Sequence, residues 1–130
     1  MGYTVFWKQH AFTDFTYNNV INLIPKVINV NFRLESWGFV IGNTEDDSCA
    51  IGRNPLNITF IKTNRNPYTK DVMKALILMA EYGAASDLDH DDSNMNLFIE
   101  ALNEIHAVHP LVSYNKQKIY FVTKHLSDTK

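Results

Sequence analysis

The run NPYTKDVMKALILMAEYG, residues 66–83, carries helix signals from its first residue to its last. Asn66 has the short polar side chain of an N-cap, and Pro67 falls at the first helical position, where its missing amide hydrogen costs nothing. Val72, Ala75, Leu76, Met79 and Ala80 recur at three- and four-residue spacing as a buried stripe, which Met73 and Ile77 widen. Gly83 stands where a left-handed C-cap belongs. The spacing predicts a helix over 67–82. Immediately upstream, after the break at Asn54 and Pro55, residues 56–62 read as a strand with Ile58 and Phe60 on one face and Thr59 and Ile61 on the other. A strand therefore feeds a helix across 58–68, the most chemically loaded stretch of the chain.

Working outward, residues 3–8 form a short aromatic and β-branched run expected to be a strand. Thr13 or Asp14 can cap a helix whose apolar positions are Tyr17, Val20, Ile21, Ile24, Val27 and Ile28. Pro25 interrupts it. A proline there loses one backbone bond and meets the carbonyl of Ile21, a cost of about 3 kcal/mol, so a kink or an end near Ile24 is expected. Residues 37–41 and 49–52 flank the turn-forming run 43–48 as a hairpin. An acidic loop spans 86–92, and Ser93 caps a third helix through Leu97, Phe98, Ala101, Leu102 and Ile105 that Pro110 ends. Residues 111–114 and 119–123, around Asn115, Lys116 and Gln117, read as a closing hairpin. The expected fold is α+β: one domain over 1–130, with a mainly antiparallel sheet packed against about three helices.

The 130 residues are 45% hydrophobic, enough for one continuous core, and the net charge of −2 gives no global drive toward nucleic acid or an anionic membrane. Cys49 is the only cysteine, so the chain has neither an intramolecular disulfide nor a multi-cysteine zinc site. A reducing, cytoplasmic compartment is expected. No stretch reaches the roughly 20 apolar residues of a membrane span, and residues 1–7 lack the basic and apolar regions of a signal peptide. Gly2 is not followed by the Ser or Thr that myristoylation wants, because Phe6 occupies that position.

Four constellations bear chemistry. Lys62, Thr63, Asn64 and Arg65 lie between the strand and the helix N-terminus, where free amides, the helix dipole and two cations suit a phosphate. The glycines of a P-loop are absent, and two solvated basic residues are the plainer alternative. Asp87, Asp89, His90, Asp91 and Asp92 offer oxygen ligands and an imidazole, but the spacing fits no EF-hand. A solvated acidic loop explains them better, and no metal is expected. His106 and His109 share a helix spacing without a third ligand, while His10 and His125 are isolated. Cys49 has no visible base and reads as a small buried hydrophobe. Tyr3, Phe6, Trp7 and Trp37 can stack on a ring or pack in the core. Tyr3, Val5 and Trp7 fall on one strand face.

Met1-Gly2-Tyr3-Thr4, closed by Phe6-Trp7, and Phe60 to Tyr68 with Lys62-Thr63, Arg65 and Pro67-Tyr68, together resemble a family of small phage and bacterial proteins. That family begins with a Met-Gly-Tyr-Thr-His-Tyr-Trp-like string and carries a Phe-x-Lys-Thr-x-x-x-Pro-Tyr-Asp-like segment ahead of a helix. The chain departs at Val5, where the family often has His, and at Thr69, where Asp is usual. The resemblance implies a viral or mobile-element accessory protein working in a host cytoplasm, and the missing His favours binding over catalysis. The expected function is non-catalytic binding of a nucleotide-like or other phosphate-bearing ligand without a cofactor. Lys62, Thr63 and Arg65 hold phosphate, and Tyr3, Trp7 or Tyr68 contacts a ring. One alternative is a phosphodiester- or nucleotide-directed enzyme using a histidine or the acidic loop. Another is a module binding a host protein or a virion, marked by an exposed apolar patch.

Overall fold

The computed structural model describes residues 4–45, 48–54, 60–63, 68–90 and 96–108, the side chain of Asp87 excepted. In chain order the elements are β1 (Thr4–Gln9), α1 (Asp14–Val27), β2 (Phe32–Glu35), β3 (Gly38–Gly42), β4 (Ser48–Gly52), β5 (Phe60–Lys62), α2 (Tyr68–Glu81), β6 (Ala85–His90) and α3 (Asn96–Val108). The described strands make two antiparallel sheets, ordered β5-β1-β6 and β2-β3-β4. This is the α+β class expected, with the antiparallel pairing divided between two sheets.

α2 lies at the centre. From Tyr68 to Met79 every residue except Lys70 is buried, so the helix has a buried circumference where the sequence suggests a stripe. α1 and α3 both pack on it, as do β6 and β3. Helices enclosed on all sides are the inner members of a fold, and their polar residues must find partners. Lys74 is 1% exposed. Its Nζ donates to the Val27 carbonyl and to Glu104 Oε1, both at 2.7 Å, and lies 3.8 Å from Asp71 Oδ1. Asp71 Oδ1 in turn accepts the Asn29 amide at 3.1 Å, and Lys70 Nζ donates to Glu104 Oε2 at 2.6 Å. One buried ammonium thus joins the last turn of α1 to α2 and α3.

Helix ends follow local chemistry. Thr13 Oγ1 accepts the Thr16 amide at 3.1 Å and caps α1. Pro25 does not end α1 near Ile24, which corrects the expected early stop: the helix continues to Val27. Pro25 sits in the last turn, where the lost bond to Ile21 is the only one at stake. The Ile28 amide still closes on Ile24 at 3.2 Å, and Lys74 satisfies the Val27 carbonyl. At the end of α2, Gly83 adopts φ +85°, with its amide on Ala80 O at 3.2 Å and the Ala84 amide on Met79 O at 2.7 Å. That pair of bonds is a Schellman motif.

The turn after Gly83 sends β6 back along α2. Residues 86–90, expected in an acidic loop over 86–92, instead belong with Ala85 to a strand pairing with β1: Val5 opposite His90, Phe6 opposite Asp89, Lys8 opposite Ser86 and Gln9 opposite Ala85. Between Phe6 and Lys8 the partner strand carries one extra residue, a bulge. Burial of Ala85, Leu88 and His90 and a full partner strand outweigh the poor strand propensity of aspartate. β2 was not expected either. It runs beside β3 after a two-residue turn at Ser36 and Trp37, and Leu34 on it is exposed. β3 and β4 form the expected hairpin, so close that a Cβ on Gly38 would strike the Ile51 carbonyl and lie 2.8 Å from Gly52 Cα. Gln9 Nε2 donates to Gly52 O at 2.6 Å and ties the first sheet to the second.

Val5 and Trp7 from β1, Phe39 and Ile41 from β3, Cys49 and Ile51 from β4 and the buried faces of the three helices form one core cluster. The expected caps Asn66 and Ser93, the helix-flanking Pro67 and Pro110, the strand residues 56–59 and the closing hairpin lie outside the described residues. No helix among those described is long and apolar enough to cross a membrane.

The buried network makes stability depend on acid in two opposed ways. Hydrogen bonds from Lys70 and Lys74 lower the Glu104 pKa, so its contribution is full above the ordinary carboxylate range and is lost as pH falls through the folded value. Desolvation raises the Asp71 pKa against the Asn29 amide and Lys74, so its contribution is present at low pH and lost as pH rises through the folded value. Asp71→Asn keeps an acceptor for Asn29 and removes the second effect. Between about pH 6 and pH 3 its urea midpoint should fall more steeply than that of wild type. Parallel slopes would mean that Asp71 does not titrate differently on folding.

Candidate functional site

From Val5 to Gln9 β1 alternates: Val5, Trp7 and Gln9 are buried, and Phe6 and Lys8 are exposed. Successive strand residues face opposite sides, so the interior takes the first set and the outer surface of the sheet receives the second. β5 enters antiparallel to β1 with Phe60 opposite Phe6 and Lys62 opposite Thr4. Phe60 and Lys62, two apart, share that outer surface. The Phe6 and Phe60 rings are 40% and 47% exposed, with centroids 6.4 Å apart and planes at 38°. Lys8 and Lys62 are exposed at opposite ends of the pair, and neither forms an ion pair with any described residue. Because the strands run in opposite directions, the order along the face is Lys62, Phe6 with Phe60, then Lys8, with an approximate two-fold axis at the rings. Thr4, beside Lys62, is buried, and Asp89 flanks Phe6 on β6 half-buried. Asp89 Oδ1 accepts the His90 amide at 2.8 Å.

This face divides the residues first grouped at the junction. Lys62 belongs to it. Thr63, the next residue, is 0% exposed, so the two do not share a surface. Trp7 and Tyr68, expected against a ligand ring, are core residues at 8% and 3% exposure. Strand parity turns Trp7 into the core, and the burial of α2 encloses Tyr68. Tyr3 and Arg65 lie outside the described residues. Among the described residues the aromatics on the face of Lys62 are thus Phe6 and Phe60. A signal for them was present in the sequence: Phe-x-Lys occurs at 6–8 and at 60–62 and nowhere else in the chain.

The remaining candidates are placed as follows. His10 Nε2 and Ser86 Oγ are hydrogen-bonded at 2.8 Å. His90 is buried in β6 and His106 is partly buried on α3, while His109, His125, Asp91 and Asp92 lie outside the described residues. Among the described residues no three His, Cys, Asp or Glu side chains gather as a metal site. Cys49 is enclosed in β4, and burial pushes its thiol up to about 12, which leaves little thiolate at neutral pH. An open groove of about 520 Å³ lies at the other sheet against Asn31, Arg33, Asn43, Thr44 and Glu45, with Arg33 Nε held by Glu35 at 2.9 Å. Two buried hydroxyls, Thr63 Oγ1 and Thr69 Oγ1, have no hydrogen-bond partner among the described residues.

The chain matches no known protein family, no curated protein and no solved structure.

An unpartnered buried hydroxyl destabilises a fold, and valine replaces threonine at nearly constant volume. Thr63→Val should therefore raise the unfolding free energy by about 1 kcal/mol in urea. A loss of similar size would show that the hydroxyl holds a hydrogen-bond partner in the folded protein.

Proposed function

We propose that the chain binds a nucleotide-like, phosphate-bearing ligand without catalysis on the outer face of β1 and β5. The observation that carries this reading is the exposed Phe6–Phe60 pair set between Lys8 and Lys62. Aromatic rings take a planar heterocycle by stacking, and ammonium groups at their ends take phosphate. Neither phenyl rings nor protonated lysines can serve as a general base at neutral pH, so binding is the chemistry this face supports. Lys62 holds phosphate, and Phe6 and Phe60 are the ring contacts on this face, where burial encloses Trp7 and Tyr68. The resemblance to small phage and bacterial proteins adds a context, an accessory protein in a host cytoplasm that sequesters a ligand. A host-protein-binding module is the second reading, favoured by the exposed Leu34 and Trp37 around the β2–β3 turn.

Calorimetry against mononucleotides, dinucleotides and cyclic nucleotides tests the proposal. Wild type should bind at least one of them, Phe60→Ala should weaken it about tenfold, and the Lys8→Ala/Lys62→Ala double variant should do so by at least as much. If no ligand binds wild type more tightly than the double variant, the proposal is wrong.

A further inference from the structure

We infer that the occupant of this face is a single-stranded oligonucleotide segment, with two bases on the two phenyl rings and its backbone phosphates at Lys8 and Lys62. The inference rests on the binding reading above and specifies its ligand. Two features argue for a strand over a free nucleotide. The rings stand side by side on one surface with centroids 6.4 Å apart, so each offers its own contact to a planar group, and one base leaves the second ring uncovered. The cations are also at opposite ends. Lys62 lies opposite Thr4, and Lys8 is four residues farther along β1, which separates the two positions by about 14 Å. A mononucleotide carries its phosphates at one end and reaches one lysine. A strand has a phosphate on either side of each base and reaches both.

The antiparallel pairing gives the same order, cation, ring, ring, cation, in either direction across the face. Such a surface reads ring faces and charge without base-edge donors, which is how sequence-tolerant single-strand platforms work. Duplexes are poor ligands for it, because their base faces are already stacked on one another. Among the described residues Lys8 and Lys62 are the cations of this face, and the half-buried Asp89 beside Phe6 opposes them. Affinity is accordingly modest and its salt dependence shallow.

Fluorescence anisotropy with labelled single-stranded DNA and RNA of about eight nucleotides provides the test, alongside the matching duplex and a labelled mononucleotide. Phe6→Ala and Phe60→Ala, at half-exposed positions, are checked for folding by their unfolding transitions. The oligonucleotide should bind at least tenfold more tightly than the mononucleotide or the duplex, and each Phe→Ala should weaken it about tenfold. The plot of log affinity against log salt should have a slope of about −1.4, falling to about −0.7 in Lys8→Ala. Equal affinity for mononucleotide and oligonucleotide overturns this inference and leaves the binding reading standing. Failure of both to bind overturns both. A folded Phe6→Ala that binds like wild type, or Phe6-dependent self-association in sedimentation, also overturns the inference, the second by showing that the face is an interface between copies of the chain.

Discussion

The buried ammonium of Lys74 is the constraint on which the arrangement of helices depends. α2 is enclosed on every side, and a charged side chain in that position is tolerated only when its protons are all directed at acceptors. Val27 supplies a carbonyl that the end of α1 would otherwise leave unbonded, and Glu104 supplies a carboxylate from α3. These partners come from the two helices that flank α2, so neither can shift along it without stranding the charge. Apolar packing of Val20, Ile24, Leu76, Ile77, Leu102 and Ile105 contributes most of the burial, but packing of that kind tolerates sliding. The ammonium fixes the register. It also explains how α1 survives Pro25, since the last turn gains a bond from outside the helix.

Fixing α2 decides what the first sheet can present. β6 leaves α2 through the left-handed turn at Gly83 and returns along it, bringing β1 and then β5 into place. One side of that sheet is used by Val5, Trp7 and Leu88 in the core. The other side receives what the alternation leaves over, which on β1 and β5 is a phenylalanine and a lysine each. The candidate site is therefore a consequence of strand parity: a shift of one residue in β1 would expose Trp7 and bury Lys8.

How much of this is visible in the sequence varies with the kind of interaction involved. The three helices are legible because their apolar periodicity and caps are local, as Thr13, Gly83 and the stripe through Phe98, Ala101, Leu102 and Ile105 show. β3 and β4 are legible because a turn-rich run separates two apolar segments. β6 is not, since Asp87 and Asp89 argue for a loop until β1 supplies a partner, and β2 offers only Phe32 and Leu34 between polar residues. The interior position of Lys74 is invisible for the same reason: a lysine one turn from Lys70 reads as a solvent-facing residue unless the surrounding helices are known. At the candidate face, the place of Lys62 ahead of a helix is legible, whereas the burial of Trp7 and Tyr68 is set by strand parity and helix packing that their own residue types do not reveal. The duplicated Phe-x-Lys is visible in the sequence, but its two copies are more than fifty residues apart and become neighbours only through pairing.

The exposed phenylalanines also have a structural use, and it bears on how binding is to be separated from folding. β5 has three described residues, and Phe60 against Phe6 is its aromatic cross-strand pair, a contact worth about 0.2–1 kcal/mol to a sheet. Part of the reason for aromatic residues here is therefore the attachment of β5. The lysines have no such use: neither is buried nor ion-paired among the described residues. Loss of a phenyl ring therefore mixes weaker stacking with a looser edge, whereas loss of an ammonium changes the charge of the face with the sheet intact. The salt dependence of binding, which the lysines change with the sheet intact, is therefore the observable that reports on the ligand.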